Sequence, residues 1–90
     1  MTRSILIADD DVHLRRTVRA YLEDSGFKVF VVGNGRDALF SARHEHPDLI
    51  LLDVMMPELN GYEVITQLQA DPRTAAIPVI FVTSLEQSAD

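Results

Sequence analysis

The chain has no cysteine. That absence excludes a disulfide framework, a thiolate metal site and a thiol nucleophile. Positive charge is also scarce, with 8 Lys and Arg against 14 Asp and Glu and a formal net charge of −6. A phosphate backbone is held by clustered Lys and Arg, so direct nucleic-acid binding is not expected. Long apolar runs are missing too. Nothing approaches the roughly 20 residues that span a bilayer. Near the amino terminus, Ile5-Leu6-Ile7-Ala8 meets Asp9-Asp10-Asp11 at once, which is too short for a signal-peptide core. No membrane association and a cytoplasmic setting are expected.

What remains is ordinary globular material, 47% hydrophobic and 24% charged, too apolar for a disordered chain. Its 90 residues allow one small domain, below the common size of roughly 100–150 residues. Four apolar runs of strand length recur, Ile5 to Ala8, Val29 to Val32, Leu49 to Leu52 and Val79 to Val82. Helical patterns fill the gaps between them. The first fits Val12 to Asp24 with Leu14, Val18, Tyr21 and Leu22 on one face, ending at Gly26. A second fits about Gly35 to His44 with Ala38, Leu39 and Ala42 inward. The third fits about Tyr62 to Ala70 on Val64, Ile65 and Leu68, and Asp71-Pro72 ends it. Strands alternating with helices predict βαβ units and a parallel sheet. Pro78 at the start of the fourth strand costs a ladder little, and Asn60-Gly61 reads as a turn into the third helix because its flanks do not alternate.

Two of these strands end in acid: Asp9 and Asp10 follow the first, and Asp53 follows the third. Ligands of open α/β sheets bind just beyond the carboxyl ends of the strands. Three carboxylates gathered there repel one another and lose hydration, a cost that a bound cation offsets. A hard divalent ion fits all-oxygen ligands, Mg²⁺ first. Asp11 reads instead as a helix cap or first-turn acid, and Asp48 as a solvated residue after Pro47.

Three segments then agree in order and spacing: Ile5 through Asp11, Pro47-Asp48-Leu49-Ile50-Leu51-Leu52-Asp53-Val54-Met55-Met56-Pro57 through Gly61, and Ile77-Pro78-Val79-Ile80-Phe81-Val82-Thr83-Ser84. Together they resemble the receiver domain of two-component response regulators. The resemblance implies a flavodoxin-like (CheY-like) α/β fold with strand order 2-1-3-4. It also implies that Asp53 is the phosphoacceptor, taking a phosphoryl group from a histidine kinase or phosphotransfer protein. Asp10 and Asp53 would bind Mg²⁺ directly, Asp9 through water, and Met55 through its backbone carbonyl. Thr83 would donate its hydroxyl to the phosphoryl group and so report phosphorylation through a conformational change. Receivers of this family continue through a further helix, strand and helix, and the loop between that strand and the last helix starts with a lysine that pairs with the phosphoryl group. Here the only lysine, Lys28, precedes the second strand at the opposite end of the sheet. One receiver domain over residues 1–90, lacking a fifth strand and incomplete at its carboxyl end, is therefore expected.

Other features read more plainly. His13, His44 and His46 lack the spacing of a metal cluster and read as surface residues. Met55 and Met56 read as apolar packing beside hard ligands. Arg15, Arg16 and Arg19 form a basic stretch on the first helix, a solvated face before a docking surface. The fourth strand is a chargeless edge, and it is expected either to self-associate through that side or to be covered within a longer polypeptide. Two rival functions are a Mg²⁺-dependent aspartate-nucleophile phosphohydrolase and an inert dimerising fragment. The first usually carries a second acid two residues after its nucleophile, where this chain has Met55.

Overall fold

A computed structural model describes residues 2–82. Among them four strands, β1 (Ser4–Ala8), β2 (Lys28–Val32), β3 (Leu49–Asp53) and β4 (Val79–Val82), alternate with helices α1 (Val12–Asp24), α2 (Gly35–Glu45) and α3 (Gly61–Ala70). Every pairing is parallel, and the order is β2-β1-β3-β4, as the flavodoxin-like reading requires. A strand buried on both faces must be apolar along its whole length, which is why β1 shows no alternation. Its Ile5 and Ile7 enter one cluster with Val29, against which Val18 and Leu22 of α1 pack. Leu6 and Ala8 enter the other, with Ile50 and Leu52 of β3, Ala38, Leu39 and Ala42 of α2, and Val64 and Leu68 of α3. The sheet thus carries α1 on one face and α2 with α3 on the other.

The helix starts follow from local chemistry. Asp11 caps α1, its carboxylate accepting from the N–H groups of His13 at 2.9 Å and Leu14 at 3.1 Å. Asn60 caps α3 in a reciprocal box with Glu63, so Asn60-Gly61 is a helix start and not a hairpin. Gly26, at φ +97, ends the turn after α1 in a conformation that L side chains rarely adopt. Pro78 lies one residue before β4, where its carbonyl accepts from Ile50 N–H at 3.0 Å and opens the β3–β4 ladder.

Two expectations, for Tyr21 and Met55, need correction, and one, for Asp48, an addition. Tyr21 is 72% exposed and does not join the inner face of α1, whose residues are at most half-buried. Asp48 is exposed but not idle, since its Oδ2 accepts from Ser4 N–H at 2.8 Å and ties the start of β1 to the lead into β3. Met55 is 59% exposed, whereas Met56 does pack in the core. The histidines are all exposed; His44 stacks on Phe40 with ring centroids 4.0 Å apart. No helix among the described residues is long and apolar enough to cross a membrane.

The end of α3 is fastened by polar contacts that periodicity does not reveal. Thr74, almost wholly buried, donates its hydroxyl to Leu68 O at 2.7 Å. The Asp71 carboxylate receives Arg73 at 2.9 Å and Arg43 of α2 at 3.1 Å. Those guanidinium groups, Arg73 first, hold the Asp71 carboxyl well below the ordinary carboxylate range. A depressed carboxylate stabilises the fold fully above the unfolded value of about 4 and loses that contribution as pH falls towards the folded value. Asp71→Asn should therefore destabilise the chain at neutral pH and flatten the loss of stability below about pH 4. Urea titrations at a series of acid pH values check this; parallel profiles for the two proteins would contradict it.

Candidate functional site

Parallel register brings the acid together. Ala8 pairs with Leu52, so the residues that follow them, Asp9 and Asp53, leave adjacent strands side by side. One carboxylate oxygen from each of Asp9, Asp10 and Asp53 lies within 4.8 Å of the others. Asp9 and Asp53 are buried, Asp10 exposed. The ladder holds Asp9 itself, whose N–H donates to Val32 O at 3.1 Å.

Each buried carboxylate receives one backbone donor from two residues onward. Asp11 N–H donates to Asp9 Oδ1 at 2.8 Å, and Met55 N–H donates to Asp53 Oδ1 at 3.1 Å. Among the described residues no Lys, Arg or His forms an ion pair with any of the three. The electrostatic result is plain at Asp9. Burial pushes its carboxyl up, the Asp11 N–H opposes that, and the charges of Asp53, Asp10 and Asp11 push it up again. A compact divalent cation with oxygen preference is the kind of ion such a set of carboxylates could hold.

The loop from β3 to α3 forms the wall of the site. Met56 anchors it in the core, and Gly61 N–H donates to Val54 O at 2.9 Å. Gly61 touches the strand end so closely that a Cβ there would sit 2.7 Å from Asp53 O and 2.9 Å from Val54 Cα. Only glycine lets α3 begin against the carboxylate's own backbone. Glu58 takes φ +70, a left-handed conformation uncommon for a side-chain-bearing residue, and its carboxylate meets Arg36 of α2 at 3.4 Å. Nothing in the sequence signals that conformation, whereas the Asn60-Gly61 pair does announce the tight approach. Of the residues expected at the site, Asp9, Asp10 and Asp53 converge, Met55 places its peptide beside Asp53, and Thr83 lies outside the described residues.

Comparison with known proteins agrees with this geometry. Residues 5–90 match the model of the response regulator receiver domain. Protein PilH of Pseudomonas aeruginosa is 44% identical over 86 residues, covering 96% of this chain and 71% of PilH. Response regulator Rre1 of Synechocystis is 39% identical over 88 residues, and there the chain spans only 38% of the relative's length. The receiver domain of sensor histidine kinase PA1611 from Pseudomonas aeruginosa, solved with a magnesium ion coordinated in its active-site cleft, superposes with a TM-score of 0.89 at 28% identity, covering 100% of this chain and 74% of that one. Sequence, fold and acidic strand ends concur, and the chain belongs to the receiver domain family of two-component response regulators.

Proposed function

We propose that Asp53 is the residue through which this receiver accepts its phosphoryl group, from a histidine kinase or phosphotransfer protein. The observation that carries the reading is the setting of its carboxylate: buried at the end of β3, with Oδ1 held by Met55 N–H and Oδ2 accepting no protein hydrogen bond among the described residues. Oδ2 is the oxygen left to attack phosphorus. A P–O bond forms as the donor's P–N bond breaks, and the leaving imidazole keeps the electron pair and takes a proton from solvent. Asp10 is exposed and positions nothing in the core.

Asp9, Asp10, Asp53 and the Met55 carbonyl would hold Mg²⁺. Bound there, the ion would supply positive charge against the phosphoryl oxygens. Thr83, by the family resemblance, would donate its hydroxyl to the accepted phosphoryl group and move with it. The family is one of signalling regulators, and the proposed chemistry is confined to the chain's own phosphorylation and dephosphorylation, in a cytoplasmic setting. A phosphohydrolase is disfavoured by Met55, which offers no proton two residues after Asp53.

The β4 side is a proposed site of self-association. Ile80 is 52% and Phe81 37% exposed, and β4 pairs only with β3 in the described sheet. Among the described residues the outer side of β4 has no strand partner, and an apolar strand edge of that kind favours pairing. Sedimentation across a dilution series should show association that Ile80→Lys abolishes; a native chain monomeric at every concentration contradicts it.

Two measurements test the site. Acetyl phosphate with Mg²⁺ should add one phosphoryl mass to the chain and none to Asp53→Asn; a shift that persists in the variant removes Asp53 from the role. The second concerns Asp9, whose raised folded pKa means that the folded state holds a proton more readily than the unfolded one. Its ionised form therefore opposes folding above the unfolded value of about 4, and the opposition fades as pH falls. Without divalent cation, Asp9→Asn should melt higher than the native chain at pH 7, with the gap narrowing in acid. A variant that melts lower at pH 7 would refute the strain assigned to the cluster.

A further inference from the structure

The groove between α2 and α3 lies away from the carboxylates and has no part in the chemistry above. It is a cavity of about 510 Å³ that shares Arg43 and Gln67 with a second hollow of about 410 Å³ beside Asp71 and Arg73. Arg36, Phe40, Arg43 and His44 line it from α2 at positions i, i+4, i+7 and i+8, one face of the helix. Leu39, one residue before Phe40, turns into the core, so the exposure of Phe40, at 62%, is not a failure of the helix to pack. His44 lies flat on the Phe40 ring at 4.0 Å and 20° between planes, its Nδ1 2.9 Å from Phe40 O, which holds the pair as a preformed aromatic platform. Leu59 closes the floor from the β3–α3 loop.

The charge of the trough is opposite to that of the chain. Three guanidinium groups, Arg36, Arg43 and Arg73, face two carboxylates. Glu58 meets Arg36 in an exposed pair, and Asp71 alone serves both Arg43 and Arg73. The balance is positive in a molecule of net charge −6. Rigid aromatics and arginines beside a partly apolar floor are the residue types that dominate binding energy at protein interfaces. Exposed ion pairs are weak and exchange partners cheaply.

We propose that the α2–α3 trough docks an acidic polypeptide segment, seating an apolar side chain on Phe40 and Leu59 while its carboxylates meet Arg36, whose pair with Glu58 is exposed and readily exchanged. A nucleic-acid backbone suits it less, since Arg43 and Arg73 are already engaged by Asp71 and the surplus positive charge is small. None of its lining residues belongs to the carboxylate cluster, so the proposal does not rest on phosphoryl acceptance at Asp53.

The probe is a fluorescein-labelled peptide in which Asp and Glu alternate with Leu and Phe, set against the same peptide with Lys for each acid and against oligothymidylate. Anisotropy should show binding of the acidic peptide alone. Amide shifts should cluster on α2, α3 and Leu59. Phe40→Ala and Arg36→Glu, both at exposed positions and checked by thermal melting for an intact fold, should each weaken binding about tenfold or more. Shifts that fall on Arg15, Arg16 and Arg19 of α1, affinity unchanged in both variants, or no binding by the peptide would each overturn the proposal. Equal binding of oligothymidylate would overturn it in favour of nucleic acid. Trough shifts produced by concentrating the chain alone would overturn it in favour of a second copy.

Discussion

Three carboxylates sharing a few ångströms at the ends of β1 and β3 set the terms for the rest of the molecule. Two of them are buried, and each buried one is compensated by a single backbone N–H, from Asp11 or Met55. Such an arrangement is costly without a cation, and the raised proton affinity of Asp9 is the visible trace of the cost. The scaffold must therefore be stable enough elsewhere to hold an unfavourable cluster in place. It does so with a sheet whose middle strands, β1 and β3, are apolar on both faces and largely buried, so that the acidic groups emerge from the best-packed part of the sheet.

The loop after Asp53 converts that rigidity into geometry. Met56 is pinned in the core, Gly61 abuts the strand end, and the Asn60–Glu63 box starts α3 at once, which leaves Val54 and Met55 little freedom. Met55 N–H can then hold one oxygen of Asp53 while the other stays available. Glu58 is the exception in this loop, a left-handed residue whose carboxylate reaches Arg36 on α2. Through it the wall of the acidic site and the rim of the α2–α3 trough are parts of one short segment.

Much of this was legible in the sequence because the signals are local. The bounds of α1 and the convergence of Asp9, Asp10 and Asp53 follow from apolar runs, helix caps and strand-end acids, while the strand order follows from the family resemblance. What escaped was set by contacts between distant residues. Tyr21 has the right spacing for the inner face of α1, yet α1 packs at a shallow depth and leaves the ring in water. Asp48 looks like a solvated residue after a proline until Ser4, from the far end of the first strand, is placed against it. The Arg43–Asp71–Arg73 set joins α2 to the turn after α3, and no periodicity in either segment announces it. The exposed Phe40 likewise reads as neither core nor loop until His44 is seen lying on it.

The account turns on whether the carboxylate cluster is a cation site built around Asp53. The most direct measurement is the melting temperature of the chain and of Asp53→Asn as Mg²⁺ is titrated at neutral pH. Binding to the folded state alone stabilises it by mass action, so the native chain should melt progressively higher with added Mg²⁺ while the variant, lacking one ligand charge, responds far less. Equal responses in the two proteins, or none in the native chain, would contradict the account.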